Sequence, residues 1–207
     1  MFKVKRINHR AMDMNSYLLI KQDKLIVIDP GFNGPEIISY CQEHQMIVSV
    51  VLLTHGHYDH IRDIHLLKEV YIFDVYVQEK DLSMLSDPDM NYSIAFGTYF
   101  ELDQSMKVNV FKDESLINLL EEEIKILYTP GHTYGSVMFE YREHIFSGDT
   151  LFYDSIGRTD LFSGNFNAIR KTINQLKVSL SNQKMIWPGH GKNGYFKDIK
   201  KSNRYLQ

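Results

Sequence analysis

Thr54-His55-Gly56-His57-Tyr58-Asp59-His60 follows directly on the apolar run Ile47-Val48-Ser49-Val50-Val51-Leu52-Leu53. The run is short, rich in β-branched residues and bounded by polar ones, which reads as a buried strand. A helical stretch, Ile61-Arg62-Asp63-Ile64-His65-Leu66-Leu67, comes next. Three imidazoles and a carboxylate therefore sit where the chain leaves a strand, the place at which open α/β sheets present functional groups. A lone histidine is ordinarily a solvated or core residue. Four potential ligands in one tight turn have no packing rationale, and imidazole with carboxylate is the set that zinc, iron and manganese share. The stretch reads as a metal-binding loop.

Further candidates appear downstream, each after a short apolar stretch: His132 in Thr129-Pro130-Gly131-His132-Thr133, Asp149 in Ser147-Gly148-Asp149-Thr150, and His190 in Pro188-Gly189-His190-Gly191. Upstream lies Val27-Ile28-Asp29-Pro30-Gly31. Taken together, these motifs resemble the signature of the metallo-β-lactamase fold superfamily, over nearly the whole chain. Gly131-His132-Thr133-Tyr134-Gly135-Ser136 and Gly148-Asp149-Thr150-Leu151-Phe152 are most similar to the hydroxyacylglutathione hydrolase (glyoxalase II) group, and Ile156-Gly157-Arg158-Thr159-Asp160 resembles its short bacterial members.

The resemblance implies an α/β (α+β) fold, an αββα four-layer sandwich with its site at one edge. It implies two divalent metal ions, zinc first, with iron and manganese as alternatives. His55, His57 and His132 would hold one ion, Asp59, His60 and His190 the other, and Asp149 would bridge them. Asp59 and Asp149 would be the catalytic carboxylates. The implied reaction is hydrolysis of an acyl thioester, a metal-bridging hydroxide attacking the carbonyl and a thiolate leaving. A mononuclear iron persulfide dioxygenase and a lactonase of the same fold stand as alternatives. The full seven-residue set with Asp149 departs from the usual β-lactamase pattern. Asp29 is expected to orient a ligand imidazole, as such rings need a partner for their second N–H.

Two departures from the group matter. Full-length glyoxalase II enzymes carry a C-terminal helical region with basic contacts to glutathione, whereas this chain runs only to Gln207 after His190. Lys192, Lys197, Lys200 and Lys201 read as a solvated helix face, so another thiol carrier stays open. Where the group has glycine after Asp-His-x, this chain has Arg62, a bulky charge expected near the site mouth. Arg158 and Asp160 are expected to pair and brace the loop after Asp149. Tyr134 and Tyr153 adjoin ligand motifs and could reach a substrate. Met90, Tyr92, Phe96, Tyr99 and Phe100 lie in an aperiodic stretch, 86–100, which reads either as an apolar rim or as ordinary packing. His9, His44, His65 and His144 belong to no motif.

Composition narrows the classes. A length of 207 residues suits one domain over 1–207. Hydrophobic content of 43% and charged content of 24% are ordinary globular values. A net charge of −3 leaves no basic footprint for nucleic acid. The single cysteine, Cys41, excludes an internal disulfide and fits a reducing compartment. No apolar run approaches the roughly 20 residues of a bilayer span, so a cytoplasmic protein with a small-molecule thioester substrate is expected. Nothing here sets an oligomeric state.

Local patterns predict strands over 2–10, 16–20, 24–28, 47–53, 74–77, 107–111, 124–128, 136–140, 144–146 and 185–187. Helices are predicted from 34 to about 45, 61 to about 70, 78–85, 166–180 and 195–205.

Overall fold

Strand alternation divides the apolar residues between two faces of each sheet, and that division builds the fold. The computed structural model describes residues 1–9, 12–112 and 115–207. One sheet has the order β1-β2-β3-β4-β5-β6, from β1 (Lys3–His9), β2 (Met14–Lys21), β3 (Lys24–Ile28), β4 (Ile47–Leu52), β5 (Asp74–Gln78) and β6 (Val108–Phe111). Its first three strands pair antiparallel and the rest parallel. The other has the order β12-β11-β10-β9-β8-β7. It comprises β7 (Ser115–Leu119), β8 (Glu122–Tyr128), β9 (Val137–Tyr141), β10 (His144–Gly148), β11 (Met185–Pro188) and β12 (Gly194–Tyr195).

Three apolar clusters define four layers. Leu18, Leu25, Val27 and Val51 meet Ile37 and Cys41 of α1 (Gly34–His44), and Ile64 and Leu67 of α3 (Ile64–Lys68), on the outside of the first sheet. Their strand neighbours Tyr17, Leu19, Ile26, Ile28 and Leu52 point the other way, into Ile124, Ile126, Phe139 and Phe146 of the second sheet. On that sheet's outer face, Met138, Ile145 and Ile186 meet Ile169 and Ile173 of α4 (Phe166–Ser179) and Phe196 and Ile199 of α5 (Phe196–Ser202). This is the αββα sandwich of the metallo-β-lactamase fold. Among the described residues, no helix is long and apolar enough to cross a membrane.

Several local expectations need correction. β7 was absent from the sequence pattern because its turn is disguised. Leu119 pairs with Glu122, so Leu120 and Glu121 form a two-residue hairpin loop, with φ of 49° and 60°. Such turns favour glycine and asparagine, and neither is present. The two-residue β12 is too short to leave a pattern. The helix expected over 61–70 starts earlier and breaks, as α2 (Tyr58–Ile61) and α3. The break falls at Asp63, whose carboxylate accepts the Gly34 N–H at 2.9 Å. Residues 78–85 form a 3₁₀ turn, Glu79–Ser86, and the last helix stops at Ser202. There Asn203 turns inward to donate to the carbonyls of Phe152 and Ser155. The first strand runs Lys3–His9, and Arg10, included in its expected span, lies outside the described residues.

The β7–β8 hairpin yields a stability prediction. Glu121 is exposed and left-handed, a conformation costing about 1–2 kcal/mol for an L residue and little for glycine. Glu121→Gly should stabilise the protein by about 0.5–1 kcal/mol, net of the added freedom of the unfolded chain. Urea denaturation checks it, and an unchanged or lower midpoint refutes it.

Candidate metal centre

The site forms where loops leaving both sheets meet. After β3, Asp29 takes φ of 49° and turns its carboxylate under the end of β4. Asp29 Oδ1 accepts the Thr54 N–H at 2.8 Å, and Oδ2 accepts the Thr54 hydroxyl at 2.6 Å. Oδ2 also lies 2.9 Å from His60 Nδ1. That bond assigns the Nδ1 proton of His60 to Asp29 and leaves Nε2 facing inward. Thr54 Oγ1 is 3.1 Å from His55 Nδ1, and the Thr54 carbonyl accepts the Val137 N–H at 2.9 Å, tying the loop to β9. One threonine thus joins the ligand loop to the opposite sheet.

His132 arrives from the loop after β8. Its Nδ1 lies 2.8 Å from the Arg158 carbonyl, which must accept, so Nε2 is unprotonated in the neutral ring. His132 Nε2 faces His55 Nε2 at 3.2 Å and His57 Nδ1 at 2.9 Å. With His55 donating Nδ1–H to Thr54, the two Nε2 lone pairs converge. A cation is the species that suits such a meeting.

A second group adjoins the first. His190 Nε2 is 3.2 Å from Asp59 Oδ2, and His60 Nε2 is 4.0 Å from the same oxygen. Asp149 stands between the groups. Its Oδ1 is 3.3 Å from His60 Nε2, and its Oδ2 is 3.6 Å from both His132 and His190 Nε2. The ligand-type atoms of His55, His57 and His132 fall within 4.8 Å of one another, as do those of Asp59, His60 and His190. His60 Nε2 and Asp149 Oδ1 are buried without a hydrogen-bond partner, which is uncommon in a folded protein and expected where ions belong. The donor set fits two divalent cations, with imidazole and carboxylate supplied to each. All seven sequence candidates are thus brought together, and Asp29 takes the orienting position expected of it.

Electrostatics divide the two groups. Burial holds His57 down to about 3 and His55 well below the ordinary histidine range, with neighbouring imidazoles adding to the effect. Both are neutral and ready to ligate. Burial also pulls at His60, but Asp149, Asp29 and Asp59 outweigh it and raise that ring well above the usual value. His190 is likewise raised, Asp149 and Asp59 overcoming its burial. Burial works against ionisation of Asp149, yet His60, His190 and His132 hold its carboxyl well below the ordinary range.

Two glycines make these approaches feasible. A Cβ on Gly189 would fall 2.3 Å from Asp149 Oδ1 and 2.6 Å from His60 Cε1. A Cβ on Gly157 would lie 1.9 Å from the Asp149 carbonyl oxygen and 2.9 Å from His132 Nδ1. Sequence reading missed Asp81, a buried carboxylate that accepts from Gly56 N, Thr133 Oγ1 and Gly135 N. It lies in no motif, and only folding brings it to these loops. Thr54 and Arg158 lie within quoted stretches, but the roles of the Thr54 side chain and the Arg158 carbonyl were missed because folding alone brings them to Asp29 and His132.

The floor of the site is closed and its mouth opens at Asp59 and His190, whose side chains are 22% and 26% exposed. A cavity of about 480 Å³ begins at His190 and is walled by Phe152, Tyr153, Arg6, Asp13 and Lys192. Lys192 is therefore not on a solvated helix face: it precedes α5 and sits 3.8 Å over the Tyr153 ring. Arg158 and Asp160 form a two-pronged pair at 2.7 and 2.8 Å. Arg62 turns onto the Phe32 ring, at 4.7 Å, and onto Asp63. Tyr134 is exposed. The 86–100 stretch divides: Asn91 and Phe100 are core, Phe96 packs on Phe32 and Tyr58, and Tyr92 and Tyr99 face solvent. His9 and His44 bond within their own turns, His65 to the Glu101 carbonyl and His144 to the Trp187 indole, all outside the two groups.

Comparison with known proteins agrees with this geometry. The sequence profile of the metallo-beta-lactamase superfamily matches residues 11–197. A probable metallo-hydrolase of Streptococcus pyogenes serotype M6 is 39% identical over 193 residues, covering 90% of this chain and 82% of the relative. The crystal structure of BLEG-1, a B3 metallo-beta-lactamase, superposes with a TM-score of 0.92 at 27% identity, over 99% of this chain and 100% of that one. The protein TTHA1623, crystallised in a di-iron-bound form, gives 0.82 at 27% identity, covering 97% and 99%.

Two predictions follow from the charges and the close contacts. Both His60 and His190 hold a proton more tightly than a free imidazole, because Asp149 and Asp59 face them, so an ion entering their group must compete with that proton. His55 and His57 are lowered and have none to lose. With an ion in each group, dialysis over a series of buffers from pH 7.5 to 5.5 should strip the one at Asp59, His60 and His190 first, leaving about one ion per chain. Simultaneous loss of both ions would refute this ordering. Gly189→Ala should weaken metal binding at least about tenfold, by pushing Asp149 and His60 apart, as read by chelator competition.

Proposed function

The chain belongs to the metallo-beta-lactamase superfamily as a metallo-hydrolase, and we propose that it cleaves acyl thioesters with two divalent ions, in the manner of the hydroxyacylglutathione hydrolases. The observation that carries this reading is Asp149, placed between two histidine groups that open to solvent on one side only. His55, His57 and His132 would hold one ion, Asp59, His60 and His190 the other, and Asp149 would contact both. When bound, the ions supply Lewis acidity, which lowers the pKa of water toward about 7 and draws electron density from a carbonyl oxygen.

The remaining work falls to the chain. His55, His57, His60 and His132 are almost fully buried, so bulk water is excluded from the floor and substrate enters from the Asp59–His190 side. Asp59 Oδ2, at that mouth, accepts a hydrogen bond from the attacking water and orients it toward the carbonyl. Asp149 stays ionised and offsets the positive charge of the centre. A thiolate is a good leaving group, so expulsion requires no positioned acid. The cavity beyond His190 has room for the thiol carrier, and Arg6 and Lys192, with Asp13 and Asp154 on the same walls, suit a carrier bearing groups of both charges. Zinc is the proposed metal. The di-iron form of TTHA1623 supports filling of both positions and makes iron the alternative. The likeness to a B3 metallo-beta-lactamase makes β-lactam amides the second substrate class.

Metal analysis of protein purified without added metal is expected to find about two ions per chain, zinc-rich. A panel of acyl thioesters, a lactone, a chromogenic cephalosporin and a glutathione persulfide with oxygen uptake then assigns the reaction. Two ions without thioester cleavage would overturn the substrate class. A single iron with oxygen uptake would replace the hydrolase by the dioxygenase. Asp149→Ala should lower thioester hydrolysis at least about a hundredfold, since a bound ion contributes several kcal/mol at the transition state. Its fold should persist by circular dichroism.

A further inference from the structure

The ligands of the first histidine group come from opposite halves of the sandwich. His55 and His57 follow β4 of one sheet, and His132 follows β8 of the other. Something must hold the two loops in register, because the His132 ring nitrogen has to stay within about 3 Å of both partners. Asp81 lies between those loops on the 3₁₀ turn Glu79–Ser86 and is fully buried. Its Oδ2 accepts the N–H of Gly56, the residue between His55 and His57, at 3.1 Å. The same oxygen accepts the hydroxyl of Thr133, the neighbour of His132, at 2.7 Å. Its Oδ1 accepts the Gly135 N–H at 2.7 Å. One carboxylate thus receives three donors, one from the first half and two from the second.

The preceding residue reinforces the join. Gln78 Oε1 accepts the Lys80 N–H at 2.6 Å, which fixes the start of the turn. Lys80 Nζ then donates to the Tyr128 hydroxyl at 2.7 Å, and that hydroxyl donates to the Tyr134 carbonyl at 2.8 Å. Consecutive side chains of one turn therefore grip the loop that carries His132 from both ends. The second group is held by other means. Asp29 orients His60, and backbone bonds from Gly189 to Gly148 and from Asn15 to Gly189 seat the His190 loop.

We propose that Asp81 is a positioning residue that joins the two halves of the first metal group, holding His132 against His55 and His57 while leaving the second group unaffected. The role rests on the two-ion assignment above, and its readout is metal affinity, so a wrong substrate class does not touch it. Losing the carboxylate strands three buried donors and frees the His132 loop to relax away from its partners. Removal of a residue that orients ligands ordinarily weakens metal binding about 10–100-fold. Here the loss falls on one ion of two.

The test is a stepwise titration of metal-depleted protein with zinc against a competing chelator, repeated with cobalt(II), whose visible spectrum reports ligand geometry. Asp81→Asn keeps the shape but has one acceptor oxygen in place of two. It should weaken one ion about 10–100-fold and leave the other at its wild-type affinity. Thr133→Val, which removes a single donor, should produce the same one-sided loss at smaller size, and Thr133→Ser should restore it. If Asp81→Asn fails to fold, the Thr133 pair decides alone. Wild-type affinities in the variants, or equal weakening of both ions, would overturn the proposal. A wild-type chain that binds no metal would overturn it together with the functional reading.

Discussion

Asp149 carries a buried negative charge, and the centre is arranged to offset it. An isolated carboxylate at that depth would be strongly disfavoured, and burial alone would drive it to its neutral form. It stays ionised because His60, His132 and His190 approach it from three directions. Those rings come from the loops after β4, β8 and β11, so the charge can be met only when both sheets are in place. The neutral imidazoles of His55, His57 and His132, aimed at one another, are a poor arrangement by themselves. Divalent cations would turn the same arrangement into a favourable one and would link the stability of this region to metal.

The supporting elements follow from that demand. Asp29 takes a left-handed backbone conformation that few non-glycine residues adopt. In return its carboxylate holds Thr54 and His60 together. Gly157 and Gly189 are small because Asp149 and the imidazoles already occupy the space a side chain would need. Arg158 contributes through two different groups: its carbonyl holds His132, while its guanidinium pairs with Asp160 outside. The floor is therefore buried and braced by hydrogen bonds, and access narrows to Asp59, His190 and the cavity beyond them. That asymmetry suits the proposed chemistry, since substrate reaches the centre only at the mouth where Asp59 would orient the attacking water.

Much of this was legible in the residues. The seven candidate ligands sit after short apolar strands, and the strand pattern survives because each strand is buried and rich in β-branched residues. Elements were missed where local chemistry was atypical. β7 escaped because Leu120 and Glu121 take positive φ without the customary turn residues. The helix expected after His60 breaks because Asp63 reaches the N–H of Gly34, a partner 29 residues away. Lys192 looked like one more surface lysine until folding placed it over Tyr153 beside His190.

By itself the sequence determined most of the strand and helix alternation, the set of candidate ligand side chains and, by resemblance, the four-layer architecture. Those features are written in local periodicity and in residue types that have no competing use at such spacing. Only the tertiary structure decided which imidazole faces which and which ring protons point outward. It also decided where the mouth opens, and that Asp81, Thr54 and the Arg158 carbonyl hold the ligands in place. Each of these depends on contacts between loops, some within one sheet's half and some across the two, that join residues 25 to 80 positions apart. A side chain's role there is set by what packs against it rather than by its neighbours in the chain.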